Sequence, residues 1–303
     1  MKPGRLKVSV IGAGKVGAVL GAALRAAEHD VVAVTAVSEA SRERAETLLP
    51  QVPVLPVDEA VRAAELVLFA VPDDALAPLV AGLAEGGHIR AGQILVHTSG
   101  RQGISVFEPA RGLGAVGVAV HPVMTFTGMS LDLARLQDAA FGVTADPVFL
   151  PIAQALAVEM GGEPVLIDEE DRPLYHAALA HASNHLTTIA GQSAALLARA
   201  GVEDPSRMLR PLMLASLENA LAAGEDALTG PVARGDEDTL EVHVRALEAL
   251  VDSDPGAEDL LGAYRELAVA TARRALQAGR LRAETASRII RRLTLGPVKE
   301  DQS

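Results

Sequence analysis

Short runs of consecutive apolar residues alternate with helical stretches through the first half of the chain. Residues 6–11 (LKVSVI), 31–37 (VVAVTAV), 66–71 (LVLFAV), 94–98 (ILVHT) and 115–120 (AVGVAV) each have the length and β-branched content of a buried strand. Residues 15–27 and 41–49 read as helices between them, and Pro72 closes the third run. This rhythm predicts parallel βαβ units, a doubly wound and mostly parallel sheet with helices on both faces. Residues 139–145 and 163–168 read as further, peripheral strands. The texture changes near residue 170. From 173 to 223, and again at 239–251, 258–278 and 283–293, the pattern is helical, with breaks expected at Asp204-Pro205, Gly230-Pro231 and Asp254-Pro255-Gly256. The expected organisation is an α/β domain over residues 1–168, an all-α domain over 169–295 and a tail over 296–303.

Composition narrows the function classes. Of 303 residues, 49% are apolar and 22% charged, ordinary for a globular protein. The net charge of −12, from 27 basic against 39 acidic residues, argues against gripping nucleic acid through its phosphates. Aromatic residues, at 2%, are too few for base stacking. No apolar run reaches the ~18 residues of a membrane span. The absence of cysteine excludes disulfides, thiolate nucleophiles and cysteine metal sites. The N-terminal run passes straight into a glycine loop without a signal-peptide pattern, so a cytoplasmic protein is expected.

The glycine loop is Gly12-Ala13-Gly14-Lys15-Val16-Gly17, between an expected strand and an expected helix. In that context GxGxxG is a dinucleotide-binding pattern. Gly12 permits the tight turn, Gly14 lets the backbone approach a pyrophosphate, and Gly17 allows close helix–strand packing. Residues 31–38 (VVAVTAVS) lack the acid that usually accepts from an NAD ribose; Ser38, Ser41 and Arg42 follow, with Arg44 a second candidate. Hydroxyls and a guanidinium suit a 2′-phosphate, which favours NADP(H), although Glu39 lies among them.

Other polar residues cluster where strands end. Val71-Pro72 could line the nicotinamide or ribose, while Asp73 and Asp74 suit a helix start. His97-Thr98-Ser99-Gly100 and His121-Pro122 end the next two strands, on the edge expected to carry the glycine loop, and their histidines and serine can donate to or exchange a proton with a substrate oxygen. In 175–188 (YHAALAHASNHLTT), a helix advancing 100° per residue puts His176, Ala180, Ser183 and Thr187 on one stripe with Asn184 beside it. His181 and His185 fall opposite as an i,i+4 pair; without a third ligand they read as packing or interface residues, and no metal site is expected. Arg234, in TGPVARGD, suits a substrate carboxylate or a rigid interhelical turn.

Together GAGKVG, FAVPDDAL, HTSG, HPVMTF, YHAALAHASNHL and LTGPVARGD resemble the Rossmann-like NADP oxidoreductase superfamily of β-hydroxyacid dehydrogenases, pyrroline-carboxylate reductase, ketopantoate reductase and the deazaflavin-dependent enzymes. Within it the chain is most similar to Rossmann-like proteins whose helical C-terminal domain is a domain of unknown function (family 2520). The resemblance implies a helical domain for substrate binding and homodimerisation, a small-molecule substrate, and an active site in the cleft between domains. It also implies catalysis by a lysine on the first long helix of the second domain. Here His176 stands in that place, with Asn184 matching a customary asparagine. The expected function is NADP(H)-dependent reduction of a small keto acid or imine, with His176 or His121 supplying the proton, Ser99 helping hold the substrate and Asn184 orienting its oxygen. The alternatives are a ketopantoate reductase-like enzyme, a non-catalytic NADP(H)-binding sensor or partner protein, and a deazaflavin hydride partner.

Overall fold

A computed structural model describes residues 5–295; the expected tail, 296–303, lies outside them. The chain divides into two compact units, the first ending at Asn184 and the second beginning at His185.

The first unit runs β1 (Lys7–Ile11), α1 (Lys15–Ala26), β2 (Asp30–Thr35), α2 (Glu39–Leu48), α3 (Val57–Ala63), β3 (Leu66–Phe69), α4 (Asp73–Glu85), β4 (Ile94–His97), α5 (Glu108–Arg111), β5 (Val116–Pro122), α6 (Leu131–Arg135), β6 (Ala140–Ala145), α7 (Leu150–Glu159), β7 (Glu163–Leu166) and α8 (Arg172–Ala180). Every apolar run of the first half becomes a strand, the peripheral pair included. The sheet order is β2-β1-β3-β4-β5-β6-β7. The first five strands are parallel; β6 runs antiparallel to β5, and β7 parallel to β6. Alternate side chains feed two apolar layers, because strand residues point to opposite faces. Val8, Val10, Leu66 and Leu68 pack into one layer, and Ile11, Val67 and Phe69 into the other. Strand order reverses between β1 and β3, and ligands of such sheets bind at the carboxyl ends beside that reversal.

The expected boundary at 168 falls inside this unit. α8 belongs with the sheet because Arg172, its first residue, is fully buried and bonded to groups on three segments of the sheet region. Beyond α8 the helix widens into a π-turn, His181–His185. A π-turn fits one extra residue into the turn, so the helix face slips back by about 100°. His181, Ser183, Asn184 and His185 all lie within this π-turn.

The second unit runs α9 (Leu186–Arg199), α10 (Pro205–Ala223), α11 (Pro231–Arg234), α12 (Glu237–Ser253), α13 (Glu258–Gln277) and α14 (Ala283–Leu295). Breaks fall where expected, and Asp204, Asp236 and Asp254 cap the helical segments that follow them. Its core joins Leu240, Val269, Ala272, Ala275, Ile289 and Leu293 of α12–α14. α9 and α10 bury no residue. No described helix is long and apolar enough to cross a membrane.

One loop of the first unit bears on the site. After β5, Gly128 turns with φ +82°, and a Cβ there would stand 3.0 Å from both Lys15 Cγ and Arg44 Cδ. The fully buried Asp132 carboxylate holds this loop. It accepts from the backbone N–H of Thr127 (2.8 Å) and Gly128 (2.8 Å) and from the Thr127 hydroxyl (3.0 Å). Burial pushes this carboxyl up, but the donors of Gly128 and Thr127 outweigh it and hold its pKa below the ordinary value. Asp132→Asn leaves a buried N–H donor without an acceptor and is expected to lower unfolding free energy by ~1–3 kcal/mol in urea titrations. Because the folded pKa lies below the unfolded one, the charged group's contribution is complete above about pH 4 and fades as pH falls further. An unchanged urea midpoint at pH 7 would refute this role for Asp132.

Candidate active site

The carboxyl edge of the sheet begins with the glycine loop. Gly12 has φ +101°, and a Cβ there would lie 2.6 Å from the Ala70 carbonyl oxygen. Gly12 N–H donates to Thr35 Oγ1 and Ala13 N–H to Thr35 O, both at 2.8 Å, so the end of β2 fixes the loop. A Cβ at Gly17 would overlap the Gly12 carbonyl and Ala70. Beside Gly14 the space is open. Gly14 is the N-cap of α1, and no side chain caps that helix. Its first amides are thus free to meet an anion, with the helix dipole behind them. These features fit a dinucleotide pyrophosphate.

The cations divide unevenly around this start. Lys15 is exposed at the first turn of α1. Arg44 is half-buried against the loop, with Nε donating to the Ala13 carbonyl at 3.3 Å. Arg42 is exposed. Ser38 caps α2, its Oγ accepting from Ser41 N–H at 3.2 Å, and keeps its own proton to donate. Ser41 is buried and donates its hydroxyl proton to Ser38 O at 2.7 Å. Its only donor is engaged inside the helix start, which removes the reason for expecting Ser41 on a 2′-phosphate. Val71 is half-buried beside Gly12, and Pro72 is exposed.

Along the same edge, β5 lies three strands from β1, about 14 Å by inter-strand spacing. Here His121 and His176 converge over Gly100. Their ring centroids are 6.3 Å apart. A Cβ on Gly100 would stand 2.6 Å from His176 Cδ2 and 3.0 Å from His121 Nε2, so only glycine admits both rings. Tyr175 Oη lies 2.7 Å from His121 Nδ1. Either group can donate in this pair, according to the imidazole tautomer. Beneath them Arg172 donates to Thr144 Oγ1 (2.8 Å), Gly142 O (2.9 Å), Ser99 O (3.2 Å) and Ala119 O (3.5 Å). Its guanidinium carbon stands 5.7 Å from the Tyr175 ring centre.

Burial first, then the Arg172 charge and His176, push His121 down to about 4. At neutral pH His121 is uncharged. His97, pushed to about 4 chiefly by burial, is closed off: Nδ1 accepts from Ser99 N–H at 3.2 Å, and Nε2 donates to Gly103 O at 2.9 Å. Ser99 is buried, and its Oγ accepts from Gln102 N–H at 3.2 Å. It shapes the loop that carries Thr98 and Gly100. Ser183 and Asn184 lie in the π-turn. Arg234 is exposed at the end of α11 in the second unit. Among the described residues no three His, Asp or Glu side chains gather as metal ligands.

Arg172 and Tyr175 were not legible as site residues. Arg172 follows the acidic run Asp168-Glu169-Glu170-Asp171, which reads as a solvated helix start. Tyr175 is one of only two tyrosines, the single hint of a special role.

Residues 1–122 match the Rossmann-like domain, and residues 139–271 match the Domain of unknown function (DUF2520). Among solved structures the chain is similar to a proposed NADP oxidoreductase from Bacteroides fragilis, at 24% identity, 88% of this chain and 98% of the other covered, and a TM-score of 0.70. It is similar to an imine reductase from Pseudomonas sp. at 20% identity, 95% and 100% coverage and a TM-score of 0.63. A reductive aminase from Aspergillus terreus, in complex with NADPH and ethyl levulinate, matches at 17% identity, 94% and 98% coverage and a TM-score of 0.60. At such identities the likeness establishes the fold. No curated protein matches the chain.

The depressed histidines make a prediction about acid. Their folded pKa values of about 4 lie below the ordinary 6.5, so protonation favours the unfolded chain. Their contribution is complete above about pH 6.5 and disappears as pH falls through 4, on the order of 3 kcal/mol for the fully buried His97. Urea midpoints followed from pH 7 to 4 are expected to fall accordingly. His97→Gln is expected to flatten that slope. A ring-proton titration of either histidine near 6.5 would refute the assignment.

Proposed function

The chain is a Rossmann-like protein with a DUF2520 domain, and from that premise we propose that it is an NADP(H)-dependent oxidoreductase reducing a small keto acid or imine. The observation that carries this reading is one sheet edge bearing two complementary features. An uncapped helix start beside the open Gly14 is flanked by Lys15 and Arg44. Farther along, two imidazoles meet over Gly100. The NADPH complex of the Aspergillus terreus reductive aminase supports the choice of cofactor.

The α1 amides, Lys15 and Arg44 hold the pyrophosphate, while Arg42 and the Ser38 hydroxyl take the 2′-phosphate. Val71 and Pro72 line the approach to the nicotinamide, which when bound supplies the hydride. His121 donates Nε2–H to the reacting heteroatom, His176 passes it a proton and Asn184 orients it, so that charge developing there meets preorganised donors. His176 thus does the work of the lysine customary in the superfamily.

The chain also works as a homodimer through its helical unit. α10 buries nothing of its own, and Met208, Leu212, Leu214, Leu217 and Leu221 are 41–81% exposed along it. Monomers rarely leave so many large apolar side chains of one helix in water, and a second copy presents the same surface in return.

The direct test is calorimetry with NADPH and NADH. NADPH is expected to bind at least tenfold more tightly. Arg42→Ala is expected to erase most of that preference, and Arg44→Ala to weaken both ligands. Failure of both dinucleotides to bind would remove the proposal. Sedimentation is expected to give the mass of two chains, and Leu212→Glu with Leu217→Glu that of one; a monomeric parent would sink the dimer.

A further inference from the structure

We infer that the pocket at Gly100 selects a carbonyl whose oxygen becomes an anion, a 2-oxo acid or a simple ketone, over an iminium ion. The inference rests on the oxidoreductase reading and chooses between its two substrate classes.

Arg172 is a fully buried cation held by carbonyl and hydroxyl oxygens, with no carboxylate in ion-pair contact. No carboxylate touches it, and the Glu169 carboxylate acts on it only through space. The nearby anions are engaged elsewhere. Asp73 is paired with Arg101 at 2.9 Å. Glu169 accepts from the backbone N–H groups of Ile104 (2.7 Å) and Ser105 (3.0 Å). The remaining titratable neighbours are His97, with both ring nitrogens bonded, Tyr175, and His176 itself. With the phenol as the donor to Nδ1, the His121 proton sits on Nε2, the nitrogen beside Gly100, and no described residue accepts from it. The pocket thus presents an N–H donor backed by a buried cation and has no carboxylate for an iminium N–H. A cation entering it loses water and meets a like charge, whereas an oxyanion meets both a donor and a favourable field.

In the reaction, hydride from the reduced dinucleotide adds to the carbonyl carbon and the C=O π pair moves to oxygen. His121 Nε2–H bonds that oxygen, and a proton delivered from water through His176 completes the alcohol. The dinucleotide leaves oxidised by two electrons. Tyr175 is a positioning residue, acting through the His121 tautomer.

The experiment uses the full chain with NADPH, a panel of pyruvate, 2-oxobutyrate, acetone and 1-pyrroline, and two inert probes, oxamate and pyrrolidine. The carbonyl compounds are expected to exceed 1-pyrroline in kcat/KM by at least tenfold. Oxamate is expected to bind the dinucleotide-loaded protein, pyrrolidinium not. Nitrogen-15 spectra of labelled histidine are expected to show His121 protonated at Nε2. Tyr175→Phe is expected to give a tautomer mixture and a carbonyl preference reduced about tenfold. Preferred turnover of 1-pyrroline, or tighter binding of pyrrolidinium than of oxamate, would overturn the inference and leave the oxidoreductase reading standing. Binding of neither probe would overturn it as well. Failure to bind any dinucleotide would overturn both.

Discussion

A guanidinium buried without a carboxylate holds the working edge of the first unit together. Removing such a charge from water costs several kcal/mol, and an ion pair is the usual compensation. Arg172 instead uses its fork of donors on the Ser99 and Gly142 carbonyls and the Thr144 hydroxyl. Those acceptors belong to the loop after β4 and to β6, and the donor belongs to α8. One side chain therefore fixes the distance between the Gly100 loop and the helix carrying Tyr175 and His176. After burial, the same charge also helps hold His97 and His121 neutral. Packing and chemistry here have one origin.

The phosphate end solves the opposite problem. A chain of net charge −12 repels a dinucleotide at long range. Screening confines that repulsion to about 8–10 Å, so nearby cations and uncapped amides decide the outcome. Lys15 and Arg44 stand at the start of α1, and Arg44 gives its Nε proton to a carbonyl, which leaves its charge uncancelled. The Asp132-held loop fits closely beside both and narrows their freedom. Most of the chain's other arginines with a named partner are bonded to carboxylates on the surface. The contrast within one chain is what gives the glycine loop its sign.

Much of this was legible in the residues. Strands buried on both faces read as apolar runs, which is why the central ones stood out, while the mostly exposed β7 read as peripheral. The glycine loop was legible because each of its glycines answers a steric demand: Gly12 and Gly17 against Ala70, Gly14 against open space. Helix starts in the second unit were marked by Asp-Pro and Gly-Pro pairs. Arg172 was not legible, since an arginine after four acids looks solvated and its burial depends on carbonyls 28 or more residues away. The π-turn escaped for a different reason. Periodicity assumes one angle per residue, and a widened turn breaks that assumption without any residue type to announce it. Ser41 misled because a hydroxyl near a phosphate-binding loop and a hydroxyl closing a helix start look identical until the hydrogen bond is seen.

His97 and His121 show what separates a structural histidine from a working one. Both end neighbouring parallel strands, and burial pushes both down to about 4. In His97 the two nitrogens are bonded to backbone groups and the ring stacks on Phe107 with centroids 5.3 Å apart. That ring can only hold the 99–103 loop in shape. In His121 one nitrogen is locked by Tyr175 and the other is left beside Gly100, where the loop shaped by His97 has no side chain. A neutral imidazole is a modest donor in water, but one held in place near a buried cation needs little reorganisation when charge appears. The closed histidine thus prepares the place in which the open one can act.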